Sequence, residues 1–170
     1  MSLGLLVARL VLGLAMAAHG TQKLLGWFGG YGRQGTAGFL EGAGFRPGIL
    51  FVWALSLGEV GSGLLTALGL LGPVGPALMI SIMLVAMVVG HAGNGFFAAT
   101  NGVEVPVLYA TGALALAFSG PGALSLDALV GLQSLWTPAA AWIAIVAGVV
   151  LAAANLAVRR VPKPTAAAAA

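Results

Sequence analysis

Two charged side chains interrupt long apolar stretches of this sequence, where ionised groups are costly unless they are paired. Arg9 lies in the first stretch, and Glu59 lies near the middle of the second. Two helices that cross one slab in opposite directions, at ~1.5 Å per residue, place these side chains within about one turn of each other in depth. We therefore expect Arg9 and Glu59 to pair. Such a pair either fixes helix packing or handles a proton or a ligand.

Four further polar residues, which we call the polar cluster, are predicted to meet at one end of the helices. His19 and Lys23 close the first apolar stretch, His91 closes the third, and Glu104 opens the fourth. Two imidazoles, an ammonium and a carboxylate at one depth could bind a quinone head group, pass protons or hold a metal. Each residue alone favours a role as an interfacial residue that hydrogen-bonds to loop carbonyls, whereas the four together favour a ligand site.

Haem is an alternative ligand, with His19 and His91 on the iron or with Met79, Met83 or Met87 in their place. A methionine at every fourth position is more typical of helix packing, so haem is not expected. The sequence has no cysteine and no zinc-protease signature, and we predict no metal site. No residue is assigned as catalytic, and any thiol chemistry would belong to a partner.

The composition predicts an integral membrane protein. Of the 170 residues, 60% are hydrophobic and only 6% are charged, whereas soluble domains carry about 25% charged residues. The net charge of +3 is small, and the basic residues lie beside apolar segments instead of forming a patch for nucleic acid. The expected environment is therefore the lipid bilayer, and nucleic acid is not an expected partner.

The apolar stretches predict an all-α polytopic bundle that forms a single membrane domain over residues 1–161. The predicted helices cover about 2–25, 47–71, 76–91, 105–119 and 138–158. Residues 36–42 are expected to form one or two turns lying flat on the membrane, and residues 125–136 an amphipathic surface segment. The alanine-rich tail, 162–170, has nothing to pack against and is predicted to be disordered.

The distribution of basic residues predicts the topology. With five spans, the basic loop after the first helix and the basic segment after the last helix lie on the same side of the membrane. With four spans they would lie on opposite sides. The positive-inside rule assigns the basic side to the cytoplasm, so we expect the amino terminus outside and the carboxyl terminus in the cytoplasm of a multi-pass cell-membrane protein.

Spaced motifs over the first four helices resemble those of the DoxX family of small membrane proteins. The motifs are Arg9, Gly13, His19-Gly20-x-x-Lys23-Leu24-x-Gly26-Trp27-Phe28-Gly29-Gly30, Glu59, His91-x-x-Asn94-Gly95-Phe96-Phe97, Asn101-Gly102-x-Glu104 and Gly120-Pro121-Gly122-x-x-Ser125-Leu126-Asp127. The resemblance implies a four-helix membrane bundle, to which the span after Thr137 is an addition. Relatives in this family include the membrane subunit of thiosulfate:quinone oxidoreductase and partners of enzymes that handle oxidative and thiol stress.

Three functional hypotheses follow. The first is a membrane subunit of a redox complex that binds a quinone at the polar cluster, with Arg9 and Glu59 shaping the pocket and the electron donor on a partner. The second is a non-enzymatic anchor that recruits soluble redox or sulfur-handling enzymes through the loop after the first helix. The third, a small transporter or proton channel, ranks last because the sequence has no inverted repeat or paired broken helices.

Overall fold

The computed structural model describes residues 2–160, and within that range the chain forms seven α-helices and no strand. The helices are α1 (Ser2–Leu25), α2 (Gly32–Gly42), α3 (Gly48–Leu68), α4 (Val74–Ala86), α5 (Glu104–Ser119), α6 (Leu126–Leu129) and α7 (Pro138–Ala157). One wider π-helical turn, Met87–His91, continues α4. The predicted tail, 162–170, lies outside the described residues.

Four of the helical segments are long and apolar enough to cross a membrane. These segments are Leu3–Leu25, Gly48–Leu68, Val74–Asn94 and Pro138–Ala157. Helix α5 is apolar as well but has 16 residues, about 24 Å of helix against a hydrocarbon core of about 30 Å. The chain is therefore a polytopic helical membrane protein, as the composition predicts.

Local backbone chemistry explains where the helices differ from the predicted ranges. Helix α3 ends at Leu68 because Gly69 takes a left-handed conformation, with φ of 62°, and closes the last turn. Helix α2 has 11 residues, more than the one or two turns expected after Gly35. The segment 125–136 contains the four-residue α6 and a 3₁₀ turn. It is not a continuous surface helix.

Close glycine contacts set the register of α1 against α3. A Cβ atom on Gly13 would lie 2.5–2.9 Å from the backbone of Gly63 and from Ala67, and one on Gly20 would lie 2.7–2.9 Å from Ser56 and Val60. Small residues allow this backbone approach, which provides van der Waals packing where the lipid removes the hydrophobic driving force. Gly13 therefore lies opposite the carboxyl-terminal half of α3.

The four long apolar segments and the shorter α5 alternate in direction along the chain, so the loops form two groups. On the basic side, the Arg159 Nε donates to the Ala43 carbonyl at 3.0 Å, and the Arg160 amide donates to the Gly44 carbonyl at 2.8 Å. The end of α7 and the α2–α3 loop therefore lie together, as the five-span topology requires. On the opposite side, Gly122 lies against Leu5 near the start of α1.

Candidate functional site

Glu59 forms an ion pair with Lys23 of α1. The Lys23 Nζ donates to Glu59 Oε1, and the two side chains are 30% and 2% exposed. Glu59 Oε2 is also buried, and it has no hydrogen-bond partner within residues 2–160. A buried carboxylate with one unused oxygen is costly unless another donor meets it.

The expected pairing of Arg9 with Glu59 is wrong. Arg9 donates instead to the carbonyls of Pro121 and Leu124, and its guanidinium lies against Gly69. Gly69 is ten residues beyond Glu59, or about 15 Å along a helix axis. The glycine contacts between α1 and α3 impose this register, which counting residues from the helix ends does not detect. Arg9 therefore belongs to the opposite side of the bundle and does not shape a pocket with Glu59.

Asp127 is the buried carboxylate on that opposite side. It is 0% exposed, and its two oxygens accept hydrogen bonds from the amides of Leu71 at 3.0 Å and Gly72 at 2.7 Å. The amphipathic pattern of residues 125–136 predicts a surface segment, whereas the Asp127 side chain within it is fully buried. Together, Arg9 and Asp127 hold the α3–α4 turn and the loop after α5 in place.

A cavity of about 230 Å³, which we call the chamber, lies between α1, α3, α4 and α5 towards the basic side. Five side chains with polar groups line it: His19, Lys23, Glu59, His91 and Tyr109. The rest of the lining is apolar, apart from the backbone of a glycine. An apolar cavity with a few convergent polar groups is the usual form of a small-molecule site.

A wider cavity of about 600 Å³, which we call the vestibule, adjoins the chamber on the basic side. His19, Lys23, Phe39, Gly90 and His91 line both cavities. The remaining vestibule lining comes from the end of α1, the loop and start of α2, and the loop after α4. The chamber therefore communicates with the basic side through a ring that contains both histidines and the lysine.

The π-helical turn positions His91. In this turn, the Gly90 carbonyl oxygen accepts hydrogen bonds from the side-chain amides of Asn94 and Asn101, each at 3.3 Å. The His91 Nδ1 lies 2.9 Å from the Asn101 carbonyl oxygen, which can only accept, so Nδ1 carries the hydrogen. In the neutral imidazole, Nε2 is then an acceptor. Single π-helical turns of this kind are frequent at functional sites.

His19 and Tyr109 meet edge to face across the chamber. Their ring centroids are 5.7 Å apart, with an angle of 72° between the ring planes. Tyr109 is not among the predicted site residues, because a single tyrosine in an apolar helix resembles a packing residue. Its phenol adds a group that can either donate or accept a hydrogen bond.

Glu104 does not join the other members of the polar cluster. Its Oε2 accepts from the Ala98 amide at 2.7 Å, and it lines neither the chamber nor the vestibule. The structure thus brings His19, Lys23 and His91 together and adds Glu59, while Glu104 holds the loop before α5. Within residues 2–160, no group of three or more His, Asp or Glu side chains could hold a metal ion.

Comparison with known proteins identifies the family. The family model described as DoxX matches residues 4–92, from the start of α1 to the end of the π-helical turn after α4. The matched range contains all four charged or imidazole side chains that line the chamber, His19, Lys23, Glu59 and His91. The searches of curated proteins and of solved structures gave no significant match. The matched segment agrees with the helical membrane architecture and with the spaced motifs of the sequence. The chain therefore belongs to the DoxX family.

Proposed function

We propose that this chain is the membrane subunit of a quinone-linked redox complex and that its chamber holds the quinone head group. The observation that carries the proposal is the unpartnered, buried Glu59 Oε2 in the lining of an otherwise apolar cavity. A ligand with hydroxyl or carbonyl groups on a flat apolar ring supplies the partner that this oxygen lacks. The bilayer supplies such ligands directly to a cavity between membrane helices.

The chamber residues fit both redox forms of a quinone. When bound, a quinone supplies two-electron, two-proton redox chemistry within the membrane. Lys23 Nζ donates hydrogen bonds to carbonyl oxygens, and the Tyr109 hydroxyl can donate or accept. Glu59 Oε2 and His91 Nε2 accept from the hydroxyl groups of the reduced form. Glu59 lines the chamber and not the vestibule, so protons from Glu59 would reach the basic side through the ring of His19, Lys23 and His91 that the two cavities share.

The chain has no cysteine for thiol redox chemistry, so we assign the source of the electrons to a partner. The vestibule opens on the side that carries the basic loops, which the positive-inside rule predicts to be cytoplasmic. We place the soluble electron donor, a redox or sulfur-handling enzyme, at this opening. The carboxyl terminus is then also cytoplasmic, and the amino terminus lies outside.

Quinone binding to matched carboxylate variants tests the site. We expect Glu59→Gln to weaken binding of a short-chain quinol about 10- to 150-fold, since a hydrogen bond to a charged group is worth about 1.5–3 kcal/mol. Glu104→Gln is the control, because Glu104 lies outside both cavities. Titration calorimetry of the purified protein in detergent measures both. If Glu59→Gln binds as well as the wild type, or if Glu104→Gln loses binding equally, the chamber is not the site.

An anchoring role is the second candidate, and the loop after α1 favours it. Trp27, Phe28 and Tyr31 in this loop are 56%, 74% and 90% exposed. Aromatic side chains of this kind suit the membrane interface or a docked protein.

Native mass spectrometry of the protein taken from its own membrane distinguishes the redox subunit from the anchor. A mass increment equal to a quinone supports the redox subunit, a haem increment replaces the quinone in the proposal, and a soluble enzyme bound to a ligand-free chain favours the anchor.

A further inference from the structure

A second cavity of about 230 Å³, which we call the lateral cleft, lies between α3, α4 and α7. Its lining is apolar except for Ser81 and Asn155. Helices α3 and α7 both pack against α4 but make little contact with each other, so a gap remains between them. Leu151, which is 48% exposed, and Ala54, which is also exposed, line this gap. The cleft therefore opens towards the bilayer.

A single layer of apolar side chains separates the lateral cleft from the chamber. Leu40, Phe45, Leu55, Ile82 and Val85 line both cavities. Leu55 belongs to α3, Ile82 and Val85 belong to α4, and Leu40 and Phe45 come from α2 and the α2–α3 loop. Leu40 and Phe45 are buried core residues, whereas Leu55, Ile82 and Val85 are only partly buried. Side chains in close-packed interiors do change rotamer, and a chain that passes from one cavity to the other requires such a change in the three partly buried residues.

We propose that the lateral cleft takes the polyisoprenoid tail of the quinone whose head group lies in the chamber, with the tail passing between α3 and α4. This inference rests on the proposed function. The chamber, at about 230 Å³, is smaller than the roughly 300–1,000 Å³ of sites for drug-sized ligands, so a head group leaves no room there for a long tail. The cleft adds a comparable apolar volume that opens into lipid, where the rest of the tail continues.

Two glycines of α3 provide a matched pair of variants. A Cβ on Gly58 would lie 3.4 Å from Ile82 Cδ1, an ordinary contact, and Gly58 lines the cleft. A larger side chain at position 58 would extend into the cleft. A Cβ on Gly61 would have no neighbour within 4 Å, and Gly61 lines none of the three cavities. Gly61→Leu therefore adds the same side chain to the same helix without filling the cleft.

The binding test uses a decyl-substituted benzoquinone and the same quinone without its tail. We expect Gly58→Leu to weaken binding of the tailed quinone tenfold or more and to leave binding of the tail-less quinone unchanged. Gly61→Leu should change neither. Equal affinity of Gly58→Leu and the wild type for the tailed quinone would overturn the inference. If the wild type binds neither quinone, the proposed function itself fails.

Photolabelling gives a second test that needs no variant. A tailed quinone with a diazirine at the end of its tail should label cleft residues such as Leu78 and Leu151 in the wild-type protein. This label decides the result if Gly58→Leu weakens both quinones equally. Label confined to α1 or α5, or a phospholipid that stays in the cleft while the tailed quinone is bound, would overturn the inference and leave the head-group site intact.

Discussion

Removing either member of the Lys23–Glu59 pair should have unequal consequences, because the two side chains differ in exposure. Lys23→Met leaves the Glu59 carboxylate, 2% exposed, without its counter-ion, and an unpaired buried charge costs about 3–5 kcal/mol. Glu59→Gln leaves Lys23, 30% exposed, beside the vestibule, where water can solvate the ammonium. Glu59→Gln should therefore lower the free energy of unfolding only by the value of the lost charged hydrogen bond, about 1.5–3 kcal/mol. We expect Lys23→Met to lower the free energy of unfolding by roughly 2 kcal/mol more than Glu59→Gln does.

The double variant Lys23→Met/Glu59→Gln extends the test. It should be more stable than Lys23→Met alone, because a buried neutral amide replaces an unpaired buried charge. Unfolding in mixed micelles with increasing SDS, followed by far-UV circular dichroism, measures the free energy of unfolding of each variant. Glu41→Gln is the control, since Glu41 is exposed and accepts from the Gly48 amide at 2.9 Å. Equal losses in the two single variants, or a double variant with strictly additive losses, would refute the reasoning.

Three further predictions use the same unfolding assay or the quinone titration. Asp127→Asn replaces one of two buried acceptor oxygens with an NH₂ donor, so it should lower the free energy of unfolding by about 1–3 kcal/mol. An unchanged free energy of unfolding would contradict the contacts of the Asp127 carboxylate. Arg9→Leu leaves two loop carbonyls without their donor, so it should lower stability while the folded protein keeps its quinone affinity; lost affinity would place Arg9 at the site after all. Gly63→Leu forces a side chain against the backbone of Gly13 and should abolish the folded protein, whereas Gly61→Leu should fold; equal folded yields would show that close packing of α1 on α3 is not required.

The helices and their directions were predictable because the bilayer permits few alternatives. Every backbone group inside hydrocarbon must be hydrogen-bonded within the chain, so a long apolar stretch with few charges implies a spanning helix. The segment from Pro138 to Val158 contains no Lys, Arg, Asp or Glu and was predicted within one residue of α7. The clustering of basic residues also predicted that the end of α7 lies on the same side as the basic segment between α1 and α3, and the hydrogen bond from the Arg160 amide to the Gly44 carbonyl agrees with this.

The partners of the charged residues were less predictable. Arg9, Lys23, Glu59 and Asp127 were all visible in the sequence, and Arg9 and Glu59 were expected to pair. The actual partners depend on how far α1 is shifted along α3, and the contact of Arg9 with Gly69 lies ten residues, or nearly three turns, beyond Glu59. Glycine contacts set that shift, and the sequence shows the glycines but not which of them face each other.

Composition and apolar periodicity alone determined that this chain is a polytopic helical membrane protein, because an unpaired backbone group in lipid costs more than any detail of side-chain packing. The spaced polar residues also determined its resemblance to the DoxX family. Tertiary structure decided that Glu59 pairs with Lys23, that Asp127 is buried, and that the chamber lies between four helices. These features depend on short-range contacts between residues that are far apart in the chain. The close packing of small residues sets these contacts, and it has no periodic signal in the sequence.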